Sequence, residues 1–277
     1  MLIDVNRIIC GDNVEALRGM PEGCIDLTVT SPPYDNLRTY NGFDWDFESL
    51  AKELYRVTKK GGVVVWVVGD ETKDFCESLS SFKQAIYFVE NCGFKLLDTM
   101  IYGKKNYAPA YPTMRRYAQV FEYMFVLSKG RPSTFNPVQV PKAESSIKKL
   151  KDGGKTKFRQ RDGSFIEKTV TNTADTKAAS NVWFLGTGKG VGHKDEIAYK
   201  HPATFPEKLA EDHILSWSNP DDIVLDPFIG SGTTAKMAAL NNRKYIGIDV
   251  SEEYCELARR RVDEALAEKE ATSKWRT

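Results

Sequence analysis

No window of the sequence approaches the roughly 20 apolar residues that a membrane-spanning helix requires. The first ten residues carry Asp4 and Arg7 and lack the apolar stretch of a secretory leader. A large excess of charge of either sign is missing too. The 39 Lys and Arg against 38 Asp and Glu leave a formal net charge of +1, which excludes a polycation that coats nucleic acid and an acidic solvating tail. The five cysteines, Cys10, Cys24, Cys76, Cys92 and Cys255, are odd in number and widely spaced, with no C-x-x-C pair and no histidine cluster beside them. That pattern excludes a disulfide framework and a zinc site, so no metal is expected. These absences predict a soluble protein of a reducing, cytoplasmic compartment. With 41% hydrophobic and 11% aromatic content, 277 residues suffice for one large domain with an insertion.

Short apolar runs are present instead, alternating with amphipathic segments. Runs at 25–30, 62–68 (GVVVWVV), 119–127, 223–225 and 244–248 read as buried strands. Phe47, Leu50, Ala51, Leu54 and Tyr55 recur at helical spacing, as do Tyr254, Leu257, Ala258 and Val262. Strands alternating with helices predict a largely parallel α/β sheet. The polar tail beyond Leu266 is expected to fray. The rhythm dissolves only at 142–168, where nine basic residues face four acidic ones. This stretch reads as a charged loop, either a functional surface or a solvated insertion.

Two constellations carry chemistry. The first, DPFIGSGTT at 226–234, follows the run 223–225 and enters the helical pattern 235–240. In such a strand, turn and helix, Gly230 and Gly232 lack the Cβ that would keep a ligand away from the backbone. About twenty residues on, Asp249 ends the next strand, where a carboxylate can accept from ribose hydroxyls. A nucleoside-containing cofactor fits this series, whereas a P-loop does not, because no G-x-x-x-x-G-K-[ST] is present. The turn can also be purely structural.

The second is Thr30-Ser31-Pro32-Pro33-Tyr34, at the end of the run 25–30. Two prolines stiffen the backbone and remove two N–H donors, leaving carbonyl acceptors without competition. Ser31 and the Pro32 carbonyl can accept from a planar amino group, and Tyr34 offers a face on which a base can stack. An ordinary strand-ending turn is the alternative.

Together these motifs resemble those of the amino-methyltransferases that modify exocyclic nitrogens of DNA bases. The resemblance covers most of the chain: CGDNVEALRGMPEGCIDLTVTSPPY at the front, GGVVVWVVGD and FEYMFVLSKG in the middle, and the block from KHPATFPEKLAEDHILSW through DPFIGSGTTAKMAALNNRKYIGIDVSEEY at the back. The order, SPPY first and glycine turn last, is similar to the permuted beta class, in which a target-recognition region lies between the two. The resemblance implies a Rossmann-like methyltransferase fold with a mostly parallel twisted sheet, plus a basic target-recognition insertion. Its parts would be a catalytic half (1–130), the insertion (131–180) and a cofactor-binding half (181–277). S-adenosylmethionine is the implied cofactor. Double-stranded DNA is the implied partner, with a companion restriction endonuclease as a further one, no membrane, and the oligomeric state left open.

The resemblance also assigns residues. Asp12 matches an acid that contacts the cofactor's adenine, although unaided it reads as a helix N-cap. Thr30 joins the cofactor site. Phe228, Gly230, Ser231, Gly232 and Thr233 match the segment that holds the methionine end, Asp226 braces that loop, and Asp249 with Val250 matches the ribose site. His201, Pro202, Ala203, Thr204 and Phe205 match a motif that closes over the methionine moiety. Read unaided, the same motif is a helix start, with Thr204 and Glu207 spaced as a capping box and Pro206 in the first turn.

Ser31, Pro32, Pro33 and Tyr34 would form the catalytic motif, acting on a base flipped out of the duplex. In the family it resembles, cytosine-N4 enzymes usually carry serine where Ser31 stands and adenine-N6 enzymes aspartate or asparagine, so the resemblance implies cytosine N4, with adenine N6 as the alternative. An RNA or protein amino-methyltransferase and an inactive DNA-binding regulator are remoter readings. Lys148, Lys149, Lys151, Arg159 and Arg161 are candidate DNA contacts. Arg115 and Arg116 either join them or solvate a loop.

Overall fold

The computed structural model describes residues 3–33, 45–107, 115–144, 155–169, 174–188, 190–201 and 203–274. In chain order the first half comprises β1 (Arg7–Cys10), α1 (Asn13–Arg18), β2 (Ile25–Thr30), α2 (Phe47–Val57), β3 (Thr58–Val68), a short hairpin of β4 (Thr72–Lys73) and β5 (Cys76–Glu77), and α3 (Ser80–Tyr87). A π-helical turn over Phe88–Cys92 extends α3, and then come β6 (Lys95–Lys104) and β7 (Phe121–Ser128). The second half holds β8 (Gln139–Pro141), β9 (Lys155–Arg159), β10 (Phe165–Thr169), β11 (Thr176–Ala178), β12 (Val182–Leu185), α4 (Glu207–Trp217), β13 (Ile223–Asp226), α5 (Thr233–Leu240), β14 (Lys244–Asp249) and α6 (Glu252–Lys274).

Eight strands form one sheet in the order β1, β14, β13, β2, β3, β7, β6, β12. The first five pair parallel, β7 is antiparallel to both its neighbours, and β12 is parallel to β6. The run GVVVWVV needs no polar alternation because both faces of β3 are covered. Val64, Trp66 and Val68 pack on one side with Leu50, Leu54 and Phe88. Val63, Val65 and Val67 pack on the other with Leu209, Ile214 and Met237. The α2 helix starts where the Asp46 side chain accepts from the Ser49 N–H at 3.1 Å, and its Leu50, Ala51, Leu54 and Val57 stripe is buried. The expected α/β fold with a mostly parallel sheet is the one observed.

The chain divides into two compact units, Met1–Asn136 with Asn181–Thr277, and Pro137–Ser180. The second contains the β8·β11 ribbon and a β9·β10 hairpin, both antiparallel. This hairpin corrects the expectation of a patternless loop at 142–168. Asp162 and Gly163 turn the chain: Gly163 has φ +86°, and the Asp162 carboxylate accepts from the Ser164 N–H at 2.9 Å. A second correction concerns the tail. Helix α6 continues past Leu266 to Lys274, held by Lys269, whose Nζ donates to the Leu240 carbonyl at 2.8 Å and to Asn242 Oδ1 at 2.9 Å. Among the described residues, no helix is long and apolar enough to cross a membrane.

Candidate active site

The candidate residues gather at the carboxyl ends of adjacent parallel strands. Thr30 ends β2, Asp226 ends β13 and Asp249 ends β14. Asp249 is in register with Cys10 at the end of β1, so the turn leading to Asp12 starts beside it. Successive strands progress in opposite directions from the β13–β2 junction, making it the topological switch point where open α/β sheets bind ligands.

One buried carboxylate braces that junction. Asp226 accepts from Thr30 Oγ1 at 2.6 Å, Thr234 Oγ1 at 2.8 Å and the Phe228 N–H at 3.0 Å. Burial pushes its pKa up to about 6, although the three hydrogen bonds pull the other way. Thr30 is fully buried with its hydroxyl on Asp226, so any cofactor contact by Thr30 falls to its backbone.

Asp249 organises the glycine turn from its other side. Its two oxygens accept from the Gly230 N–H at 3.0 Å and the Ser251 N–H at 2.9 Å. Burial raises its pKa against these backbone hydrogen bonds. A carboxylate has about four lone-pair sites, so these two bonds leave acceptor capacity for ribose hydroxyls. Val250 follows, 44% exposed. Asp12 caps α1, accepting from the Glu15 N–H at 2.9 Å, which is its unaided reading.

The two glycines let the turn pack closely on its protein neighbours. At Gly232 (φ +84°) a Cβ would lie 2.8 Å from Ala258 Cα, so its absence lets the turn pack on α6. At Gly230 (φ +46°) a Cβ would lie 3.0 Å from the His201 ring. His201 is folded back on its own segment, Nδ1 lying 2.5 Å from the Ala203 carbonyl oxygen and 3.2 Å from the Ala203 nitrogen, and meets Tyr254 edge-on at 4.3 Å. The segment ending in Ala203, Thr204 and Phe205 is thereby held beside the glycine turn. Phe228 points into an aromatic group, edge-on to Trp45 at 5.0 Å.

The expected capping box does not form. Helix α4 has Pro206 as its N-cap with no side-chain capping bond. Glu207 lies instead in a buried cluster with Asp195, Lys236, Arg261 and His193, and ion-pairs with Lys236 at 2.6 Å and Arg261 at 3.1 Å. Burial alone would raise the Asp195 and Glu207 pKa values; hydrogen bonds, to Lys236 and Arg261 for Asp195 and to His193 and Lys236 for Glu207, hold both below the ordinary range. Sequence reasoning missed this cluster, yet one signal was available. Arg261 falls on the same helical stripe as Leu257, Ala258, Val262 and Ala265, all buried, and an arginine within an apolar stripe needs a buried partner.

Ser31 and Pro33 are half-buried and Pro32 is buried, just beyond β2. Tyr34, Pro202, Lys148, Lys149 and Lys151 lie outside the described residues. Arg159 and Arg161 are exposed on the β9·β10 hairpin. Arg115 is exposed with φ +49°. Arg116 has structural partners: it donates to Thr72 Oγ1 at 2.6 Å, Glu77 Oε1 at 2.8 Å and Gln119 Oε1 at 3.1 Å, tying the β4·β5 hairpin to the approach to β7.

The N6/N4 methyltransferase family model, described as DNA methylase, matches residues 25–260. The chain belongs to the N6/N4 DNA methylase family. It is 55% identical over 239 residues to the orphan methyltransferase M.BamHII of Bacillus amyloliquefaciens, across 86% of this chain and 88% of that one. It is 28% identical over 276 residues to the DNA adenine methyltransferase YhdJ of Escherichia coli K12, across 95% and 84%. Among solved structures, the cytosine-N4-specific PvuII DNA methyltransferase shares the fold, with a TM-score of 0.68 at 21% identity over 93% of this chain and 90% of that one.

The methyl donor of this N6/N4 methylase is S-adenosylmethionine. The residues present fit it. Asp12 and Asp249 place acceptors at neighbouring strand ends for a nucleoside, and the amino end of α5, directly after the glycine turn, suits a carboxylate.

Proposed function

We propose that this chain methylates the exocyclic N4 of cytosine at a specific site in double-stranded DNA, on a base flipped out of the duplex. The carrying observation is Ser31, the first residue of the SPPY motif, at the carboxyl end of β2 beside the switch point. S-adenosylmethionine supplies an electrophilic methyl group when bound. The chain's task is to prepare the nucleophile. An exocyclic amino nitrogen is a poor one because its lone pair is delocalised into the ring. Acceptors at Ser31 Oγ and the Pro32 carbonyl, set on its two N–H bonds, favour a pyramidal nitrogen and free that lone pair. Pro33 stiffens the loop and Tyr34 stacks on the base. The proton leaves to solvent, so no strong base is required, consistent with His201 being turned back on Ala203.

Ala203, Thr204, Phe205, Phe228, Gly230, Ser231, Gly232 and Thr233 hold the methionine end of the cofactor in this reading, with Pro202 closing over it. Residues 131–180 are the target-recognition part, where Arg159 and Arg161 with Lys148, Lys149 and Lys151 contact DNA. Methylation of the site would protect it from a companion restriction endonuclease that cuts there. Adenine N6 is the second reading, favoured by the relative named as a DNA adenine methyltransferase. Mass spectrometry of nucleosides from DNA treated with the protein separates the two: N4-methylcytosine is expected, and N6-methyladenine alone would overturn the assignment. Parallel incubations with RNA and protein should incorporate no methyl group.

A further inference from the structure

We infer that Arg261 is a positioning residue for cofactor binding, aimed by Asp195 and Glu207 at the underside of the glycine turn. The inference rests on the reading that this turn holds S-adenosylmethionine.

The guanidinium is fully buried and its three nitrogens have separate tasks. Nε and Nη2 grip Asp195 as a fork, at 2.9 Å to Oδ1 and 3.1 Å to Oδ2, and Nη2 also donates to Glu207 Oε1 at 3.1 Å. Nη1 faces the turn. It donates to the Ser231 carbonyl at 2.7 Å, Ser231 Oγ at 3.1 Å and Thr233 Oγ1 at 3.2 Å. Lys236, on the helix that follows the turn, closes the group by donating to Asp195 and Glu207.

Stability is a weak reason for such a cluster. Two acids and two bases lose their hydration on burial, and well-packed apolar groups of the same volume are often as stable or more so. What apolar packing cannot do is fix the direction of a carbonyl. The Ser231–Gly232 peptide is held by a charge-assisted bond from below, and its orientation decides where the turn's outer surface lies. The cluster also joins three places that must agree for one ligand to fit: Asp195 in the stretch before His201, Glu207 at the start of α4 just after the His201 to Phe205 motif, and the turn itself. A lysine at position 261 would keep the charge and lose the fork.

The test is calorimetric titration of S-adenosylmethionine into the DNA-free full chain, beside KM and kcat on a DNA substrate and thermal unfolding. Arg261→Lys should weaken binding about tenfold and raise the KM for the donor equally, with kcat at saturating donor within about twofold. A merely structural role would reduce the folded fraction and lower kcat per total protein without moving the affinity of the folded molecules. Unchanged affinity in Arg261→Lys would therefore overturn the proposal. Asp195→Asn sits at the cluster's rim, where its side chain is 27% exposed, and is the variant that decides if Arg261→Lys does not fold. It should show a smaller shift of the same kind, and no shift would likewise overturn the assignment. A wild-type chain that binds no S-adenosylmethionine would instead remove the underlying reading before any variant is compared.

Discussion

The carboxyl edge around Asp226 and the β9·β10 hairpin use polar residues in opposite ways. At the edge, Asp226, Thr30 and Thr234 are buried and bonded to one another. On the hairpin, every described side chain is exposed, including Phe158 and Phe165, and Lys155 and Lys157 stand 3.9 Å from Glu167. Exposed pairs of that kind contribute little to stability. Buried groups that bond one another fix a geometry, which suits a cofactor of constant shape. Exposed charges on a two-stranded ribbon fix little, and suit a surface that meets a polyanion.

The largest effect expected at the edge is a pH dependence. Asp226 has a folded pKa near 6 against an ordinary 3.8. The folded state therefore holds more protons than the unfolded one between those values, and stability from this group falls as pH rises through that window. Relative to Asp226→Asn, the wild type should lose about 3 kcal/mol of unfolding free energy between about pH 3 and pH 8. Chemical denaturation across that range measures it, and parallel curves for the two proteins would contradict the buried brace. The hairpin carries the opposite sign, since hydrogen bonds from Ser164 hold the Asp162 carboxyl below its ordinary range.

Next in size is Ser31→Ala. Removing one acceptor that matters mainly as the reaction proceeds should lower kcat about a hundredfold, roughly 2.7 kcal/mol, while binding of S-adenosylmethionine is retained. Unchanged turnover would sink the role given to Ser31. Gly232→Ala follows: a Cβ at φ +84°, 2.8 Å from Ala258 Cα, should cost about 2 kcal/mol in unfolding free energy, because both partners at the contact are backbone or close to it. A melting curve identical to wild type would show that the turn can move away from α6.

The contrast between the two regions also governs what could be read without coordinates. Buried strands such as GVVVWVV and the series from Asp226 to Asp249 were legible because their signals are local: a run, a turn, a spacing. The cluster of Asp195, Glu207, Lys236 and Arg261 was not, since its members are far apart in sequence and only the fold brings them together. Glu207 was misread for the same reason. Its spacing from Thr204 satisfies a capping box, but a buried lysine and arginine offer stronger partners than one backbone N–H. On the hairpin, charge alternation hid a ribbon that Asp162-Gly163 announces. The tail of α6 was misjudged because its anchoring, through Lys269 to the end of α5, is long-range.

The smallest expected effect is on the hairpin, and it sharpens the comparison most. Arg159 and Arg161 are exposed. If each meets one phosphate, Arg159→Ala and Arg161→Ala should each reduce the slope of log affinity for duplex DNA against log salt by about one, and weaken binding about tenfold or less at moderate salt. Binding of S-adenosylmethionine to the DNA-free chain should stay at the wild-type value in both, because neither side chain belongs to the edge cluster. The converse holds for Arg261→Lys, whose salt slope on DNA should match the wild type. An unchanged slope in the hairpin variants would return Arg159 and Arg161 to plain solvation. A changed donor affinity in them would break the division of labour itself, since an exposed ribbon would then be contributing to the shape of a buried site.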